Sequence, residues 1–566
     1  MKQHNKNPER LKRIFTGLLL TVPSFAALAA DQVNPPNAGS VLQQAQPVKP
    51  TAPSSTGTGL TIESQSGGQL PPSAPFAVTS IQITGNTAFE TATLHALVAD
   101  AEGKTLTLVQ FGEVVARITD YYHSHHYPLA RAVIPAQTIQ GGVVHVTVIE
   151  ARYGEIKLDN RSRAGTRLLQ QTLSTLQPGQ AVNEVSLDHA LLLASDIPGV
   201  ATVATLKPGA AVGTSDLQVQ ANATPPVTAT ATLDNNGDRY TGRVRFGATV
   251  NFIEPFHHGD DLSLGFLSAG SDMNYGSLTY ETLLNGLGTR VGGSFAAVHY
   301  SLGDTLVALD AHGTAEVGSI WIKHPLIRTA GVNLYAQIRY DHQKLVDDID
   351  ATFLKTDRHL DNWNASLSGD WRDALLSGGV SSWSIGITTG RVDFDNAAAE
   401  LADAATAKTQ GTFTKWNGNL AHLQNLTPND ALYLTLSGQW TNGNLDASQK
   451  MVAGGPYTVR AYDVDAISGD TGVVGSVELR HVLGRALGGR WQVLGFVDGQ
   501  RVTVNKNPWV TGVNSATLGG GGLGIIWAGP HQWLARSYIA APIGSTPVLI
   551  GTNNSVRAWV EIDKGF

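Results

Sequence analysis

The chain has 566 residues, of which 15% are charged and none is cysteine, and its formal net charge is −7. That length exceeds one ordinary domain and suggests roughly two to four. The lack of cysteine excludes a disulfide framework, a thiolate metal site and a cysteine nucleophile, and an acidic balance suits a nucleic-acid partner poorly.

Residues 1–30, "MKQHNKNPERLKRIFTGLLLTVPSFAALAA", begin with five basic residues and one acidic one. An apolar run from Ile14 follows and ends at Ala27-Leu28-Ala29, a small-x-small cleavage pattern. This reads as a secretory signal peptide, because the run is too short, and too interrupted by Pro23, for a spanning helix. Its removal leaves the remaining chain near a charge of about −11. No other window offers ~18 consecutive apolar residues. If the chain spans a membrane, a closed β-barrel is the way left, since backbone groups in lipid must pair internally.

Residues 31–74 are rich in Pro, Gln, Ser, Thr and Gly ("PVKPTAPSSTGTGL", "SQSGGQLPPSAP") and predict a disordered linker. Within it, "NAGSVLQQ" (Asn37–Gln44) predicts a short helix. Residues 75–151 then read as an α+β module. "FAVTSIQITGNTAF" alternates like a strand, and "VQFGEVVARITDYY" sets Phe111, Val115, Ile118 and Tyr122 at helical spacing before "GGVVHVTVIEARYGEI" alternates again. Residues 152–223 read as a second such module, with helical "TRLLQQTLSTL" and "VSLDHALLLASDI" and the strand "TSDLQVQAN".

From residue 224 to 566 the period is two. In "VNLYAQIRYD" one face carries Val332, Leu334, Ala336, Ile338 and Tyr340, the other Asn333, Tyr335, Gln337, Arg339 and Asp341. At ~20 residues per strand and loop, this stretch predicts on the order of sixteen antiparallel strands, an even number that suits an outer-membrane barrel. The outward face mixes small and apolar residues, and no large core hydrophobes are expected opposite them. "SVRAWVEIDKGF" closes the pattern at Phe566, with Lys564 on the apolar parity, where a long cation can snorkel to an interface.

Several patterns carry no chemistry. "GGGGLG" (Gly519–Gly524) sits in a β context with no following helix, so its glycines serve strand bending or close backbone approach rather than a nucleotide. His123, His125 and His126 lack a partner to complete a metal shell and suit a helix C-terminus. No Walker, zincin or lipase-elbow motif occurs, so no enzyme activity, cofactor or metal is expected.

"YYHSHHYPLARAVIPAQTIQGGVVHVTVIEARYG" resembles the first polypeptide-transport-associated (POTRA) domain of two-partner secretion (TpsB) transporters, the haemolysin and haemagglutinin secretion/activation proteins. "LLLASDIPGVATVATLKPGAAVGTSDLQVQ" resembles their second POTRA domain, and "LDNNGDRYTGRVRFGATVNF" the opening of their barrel. "GGPYTVRAYDVDAISGDTG", "SVELRHVLG" and "VLGFVDGQRV" resemble their late-barrel signature. The resemblance covers nearly the whole chain after residue 30. It departs at Ala461 and Gln500, where the family usually has Gly, and at His126, which also replaces a usual Gly before Tyr127.

What it implies is a sixteen-stranded outer-membrane barrel behind two periplasmic POTRA domains, with a loop at residues 453–472 folded into the lumen. There Arg460 is expected to pair with Asp498, supported by Val459, Ala461, Tyr462, Phe496 and Gly499. The implied function is export of a large cognate exoprotein (haemagglutinin, haemolysin or adhesin-like) to the cell surface. The POTRA domains would capture its secretion domain, and the N-terminal helix would plug the pore. Implied partners are that exoprotein, outer-membrane lipid and the barrel assembly machinery during biogenesis. The alternative is an assembly factor that inserts other barrels; a passive porin would need no α+β modules.

Overall fold

The structure, a computed structural model, describes residues 35–46, 53–63 and 70–566. The expected signal peptide, residues 1–30, lies outside the described residues, as do residues 47–52 and 64–69 of the expected linker. The predicted short helix is α1 (Ala38–Ala45), capped by the Asn37 side chain, which accepts from the amides of Gly39 and Ser40. Part of the expected linker is not irregular: Leu60–Ile62 forms a strand, β1.

The first module comprises β2 (Phe76–Ala77), β3 (Ser80–Thr84), α2 (Thr91–Ala96), β4 (Thr105–Leu106), α3 (Leu108–Ser124), β5 (Arg131–Val133) and β6 (Val143–Ile149). A reciprocal Thr107/Gln110 cap starts α3, whose apolar face buries Phe111, Val115, Ile118 and Tyr122. That face covers a sheet ordered β3-β6-β5, which supplies Ile81, Ile83, Val144 and Val146 to the same core.

Glu150 is buried at the end of this core. Its Oε1 accepts from the amides of Thr87 (2.6 Å) and Ala88 (2.7 Å) and from the Tyr122 hydroxyl (2.7 Å). Burial pushes the Glu150 pKa up, but these donors outweigh it and hold the carboxyl below its ordinary value. A carboxyl depressed in the folded state stabilises the fold above its unfolded pKa of about 4.3 and loses that contribution as pH falls through the folded value. Acidification from about pH 6 to about pH 3 is therefore expected to lower the melting point of the first module. Glu150→Gln should cost about 2 kcal/mol near neutrality and flatten that dependence, read from the helical circular dichroism.

The second module comprises β7 (Arg152–Arg161), α4 (Thr166–Leu173), α5 (Glu184–Ser195), β8 (Val200–Pro208) and β9 (Thr214–Ala223), in a sheet ordered β1-β8-β9-β7. β1 thus adds to β8 in parallel, pairing Leu60 with Ala204 and Ile62 with Leu206. Ala204 N donates to Gly59 O and Glu63 N to Leu206 O, each at 3.0 Å, while Leu60 packs on the module's core. The linker expectation fails here because an unpaired sheet edge rewards any short alternating segment that reaches it, whatever the composition around it.

The rest is a barrel. Its first half runs β10 (Val227–Asp234), β11 (Arg245–Ile253), β12 (Asp261–Ser268), β13 (Met273–Leu283), β14 (Arg290–Ser301), β15 (Ala311–Arg328), β16 (Val332–Ile349) and β17 (Leu354–Asp373). Then come β18 (Gly379–Phe394), β19 (Gly411–Asn425), β20 (Asp430–Thr441), the short hairpin β21 (Met451–Ala453) and β22 (Ile467–Gly469), β23 (Thr471–Ala486), β24 (Gly489–Thr503), β25 (Ser515–Ala528), β26 (Trp533–Pro542) and β27 (Arg557–Gly565). Among the described residues, all of these but the hairpin close into one antiparallel barrel of sixteen strands, with β10 pairing β27.

The parity read from sequence sets the two faces. Val332 and Ile338 are exposed on the outside, whereas Asn333 is buried inside. On β27, Val560 and Ile562 face out while Arg557, Trp559 and Glu561 are buried. Lys564 Nζ reaches back to donate to His531 O and stands over the Phe566 ring at 4.5 Å. The expectation of an inner face without large hydrophobes is corrected: Met273, Val298, Leu345, Leu360, Val392 and Phe413 cluster there. They are needed because α1 lies in the lumen and its Val41 and Leu42 must be covered.

The second module is fastened to the barrel mouth. Arg328, at the end of β15, donates through Nε (2.6 Å) and Nη2 (2.8 Å) to the two carboxylate oxygens of Asp196 after α5. Its side chain is fully buried, that of Asp196 28% exposed. Arg328→Ala is expected to loosen this joint by about 2–3 kcal/mol, less than a fully buried pair because Asp196 keeps some water. Distances between spin labels on the second module and on the barrel rim should broaden accordingly.

Candidate functional site

Between β20 and β23 the chain does not turn at the surface. It folds inward as the β21–β22 hairpin, and its tip carries the apolar stretch around Arg460. Gly454 has φ +94°, and a Cβ there would sit 2.2 Å from Asp463 O, so only glycine closes this turn. At the tip Tyr462 N donates to Val459 O at 3.1 Å. Val459, Ala461 and Tyr462 are fully buried against Leu494, Phe496, Leu518 and Ala540 of the wall.

That packing delivers Arg460 to Asp498 on β24. Arg460 Nε donates to Asp498 Oδ2 (2.9 Å) and Nη2 to Oδ1 (2.7 Å), a bidentate fork, and the Arg460 amide also donates to Oδ2 (3.1 Å). Nη1 donates to Glu478 Oε1 (2.7 Å), and Nη2 also to Ser476 Oγ (2.9 Å). Glu478 is shared with Arg480, whose Nη2 lies 2.6 Å from Oε2. Two cations thus face two carboxylates. The guanidinium also stacks 3.4 Å from the Phe496 ring centroid. With Arg460 5% exposed and the Asp498 side chain 0%, water screens this cluster little.

The structure therefore brings together Arg460, Asp498, Val459, Ala461, Tyr462 and Phe496. Gly499 it does not: on the β24 alternation it falls on the opposite, exposed face, where a Cβ would meet nothing within 4 Å, so its expected support of the loop is corrected. The next residue does that work instead. Gln500, one of the departures noted above, turns inward and donates from Nε2 to Val452 O of the hairpin at 2.9 Å. His126, another departure, holds φ +68°, a left-handed conformation that explains why glycine suits that position.

Sequence reasoning missed four further parts of the cluster. Glu478 and Ser476 alternate inward on β23, and Trp559 Nε1 donates to Arg460 O at 2.8 Å from β27. Gly520 is the fourth: a Cβ there would meet the Ala461 Cβ at 2.7 Å, so this member of the glycine run makes room for the loop tip. Two of the acidic residues after Arg460 also find partners. Asp463 accepts from Arg557 and from Arg243 (2.9 Å), and Asp470 lies 3.1 Å from Lys450 Nζ.

The second occupant of the lumen is α1. Ala38 N donates to Asp347 Oδ1 (2.6 Å) at its N-terminus, and Arg245 Nη1 donates to Gln44 O (3.2 Å) at its C-terminal end. An anion at one end and a cation at the other match the helix dipole. Gln43 Nε2 donates to Ser448 O (2.6 Å) and Lys450 O (3.1 Å), which ties α1 to the root of the inward loop. Arg358 joins both: it donates to Asp347 (2.7 Å) and to Asp446 (2.6 Å).

His123, His125 and His126 stand on Ala130 O, Tyr121 O and Glu184 respectively, and among the described residues no group of three or more His, Asp or Glu is placed to hold a metal. Among the described residues no helix is long and apolar enough to cross a membrane.

Comparison with known proteins agrees with this architecture. Residues 213–525 match the model of the haemolysin secretion/activation protein ShlB/FhaC/HecB family, and residues 76–151 match the ShlB-type POTRA domain. The heme/hemopexin transporter protein HuxB of Haemophilus influenzae is 26% identical over 466 residues, covering 82% of each chain. The outer membrane transporter CdiB of Escherichia coli is 23% identical over 410 residues, 70% of this chain and 67% of that one. The solved structure of CdiB from Escherichia coli superposes with a TM-score of 0.70 at 20% identity, covering 89% of this chain and 93% of that one, a likeness of fold. With more than half of its length matched, the chain belongs to the haemolysin secretion/activation protein family: it is an outer-membrane β-barrel transporter of two-partner secretion, with its POTRA domains in the periplasm.

Proposed function

We propose that this transporter moves one large cognate exoprotein, unfolded, through its own barrel to the cell surface. The observation that carries the reading is the filled lumen: a loop latched by Arg460 on Asp498 and a short helix seated by both ends, neither of which a passive porin needs. Arg460 and Asp498 act as the loop lock, with Val459, Ala461, Tyr462 and Phe496 as its packing and Glu478 as its second anion. α1 closes the pore at rest. Residues 75–151 and 152–223 serve as the two capture domains and residues 31–74 as the strap that leads to them. Main-chain hydrogen bonding at a sheet edge lets such domains take an extended secretion segment. The barrel itself reaches its lipid surroundings through the assembly machinery, and no nucleic acid takes part.

The alternative, an assembly factor for other barrels, predicts a different loss on deletion of the gene. Export predicts that one exoprotein disappears from the medium while the porin content of the outer membrane stays normal. A general loss of barrels would favour the assembly factor.

A further inference from the structure

Among the described residues, the N-terminal segment between α1 and the first POTRA domain is held by its main chain at two places, the barrel mouth and the β8 edge. At the barrel mouth, Ser54 N donates to Asp370 Oδ1 at 2.9 Å, and Ser54 O accepts from Arg372 Nη2. The Ser54 hydroxyl adds a bond to the same Asp370 oxygen (2.6 Å) and stands 3.2 Å from the Tyr335 hydroxyl. Asp370 and Arg372 are two apart on β17 and face inward together, so one carboxylate and one guanidinium bracket the N–H and C=O of a single residue. That arrangement imitates a strand partner and reads any extended backbone.

The pair is built into the wall. The Asp370 side chain is 5% exposed, and its Oδ2 accepts from Asn333 Nδ2 (2.9 Å) and Arg372 Nη1 (3.1 Å). Asn333 Oδ1 in turn accepts from Arg328 Nη1 (3.0 Å), the residue that fastens the second POTRA domain through Asp196. Beside Ser54 lies a cavity of about 270 Å³ lined by Asp196, Arg290, Lys323 and Tyr335, space for a chain to continue into. A few residues further along, β1 occupies the β8 edge, again by main-chain bonds, and covers three residues of a nine-residue strand.

We propose that the Asp370–Arg372 pair and the β8 edge together form a docking track for an extended polypeptide, held at rest by residues 54–62 of this chain as a surrogate. The ligand class is an unfolded peptide segment recognised through its backbone. That the segment belongs to an exported protein rests on the function proposed above. A three-residue strand and one clamped residue are a weak hold, so a longer incoming segment displaces them stepwise, bond for bond.

The test uses the purified chain in detergent and a fluorescent peptide with the composition of residues 53–63 in scrambled order. Deleting residues 53–63 should tighten peptide binding by about tenfold or more, because the resident competitor is gone. Asp370→Ala introduced into that deletion should weaken binding again by about tenfold. In the intact chain, Thr61→Cys with Thr205→Cys places a cysteine on each of two paired residues. Oxidation should suppress peptide binding and reduction restore it, which decides the matter should the deletion fail to fold. Equal binding by the intact, deleted and cross-linked chains, or no effect of Asp370→Ala, overturns the proposal. These are binding measurements, so their failure is separate from failure of the export reading, which shows in the deletion strain's medium.

Discussion

Arg460→Ala is expected to end secretion while the barrel still reaches the outer membrane. The substitution strands the buried Asp498 and leaves the buried Glu478 to Arg480 alone. Removing one partner of a buried charge pair costs roughly 3–5 kcal/mol. The sixteen-stranded ladder does not depend on this contact, so the cost falls on the loop: about 3 kcal/mol shifts its docked fraction by on the order of a hundredfold. Secretion should drop by at least about tenfold, measured as exoprotein in the medium against heat-modifiable barrel in the outer-membrane fraction. Arg460→Lys should rescue poorly, because an ammonium cannot make the two-pronged contact to Asp498 and reach Glu478 as well. Undiminished secretion by Arg460→Ala would remove the lock from the mechanism.

How much of this was visible in advance differs by element, for physical reasons. The barrel was legible because a strand with lipid on one side and lumen on the other must alternate, as Val332 to Asp341 do. The α3 core was legible because Phe111, Val115, Ile118 and Tyr122 repeat at the helical period. Arg460 and Asp498 were paired through family resemblance; nothing local in the sequence links residues 38 positions apart. Glu478, Ser476, Gly520 and Trp559 went unnoticed because each joins the cluster only through barrel register and closure. Gly499 was misjudged from the same cause: its neighbours Asp498 and Gln500 point inward, so it must point out. β1 was hidden by composition, since "TGTGLTIE" looks like linker until a neighbouring sheet offers an edge. The lumen hydrophobes were unexpected because strand alternation separates lipid from lumen but does not show which inward positions meet the apolar side of α1.

If α1 is the resting plug, Gly39→Ala should open the channel. Helix propensity runs the other way, since alanine favours a helix over glycine by about 1 kcal/mol, so the substitution leaves α1 better formed. The seat is what it disturbs. A Cβ at residue 39 would stand 2.5 Å from the Ser448 amide nitrogen and 2.9 Å from its Cα, backbone atoms that cannot swing aside as a side chain could. Relief requires the helix to back away, which lengthens the Ala38–Asp347 and Arg245–Gln44 bonds at its two ends and uncovers Val41 and Leu42. A loss of only about 1.4 kcal/mol in seating raises the open fraction about tenfold. Single-channel recording in planar bilayers should show Gly39→Ala dwelling in the conducting level that a chain lacking residues 35–46 occupies continuously. Gln46→Ala, which removes one exposed bond to Tyr275, should stay near the parent. A closed Gly39→Ala channel would mean that α1 merely lodges in the lumen and that the inward loop does the closing.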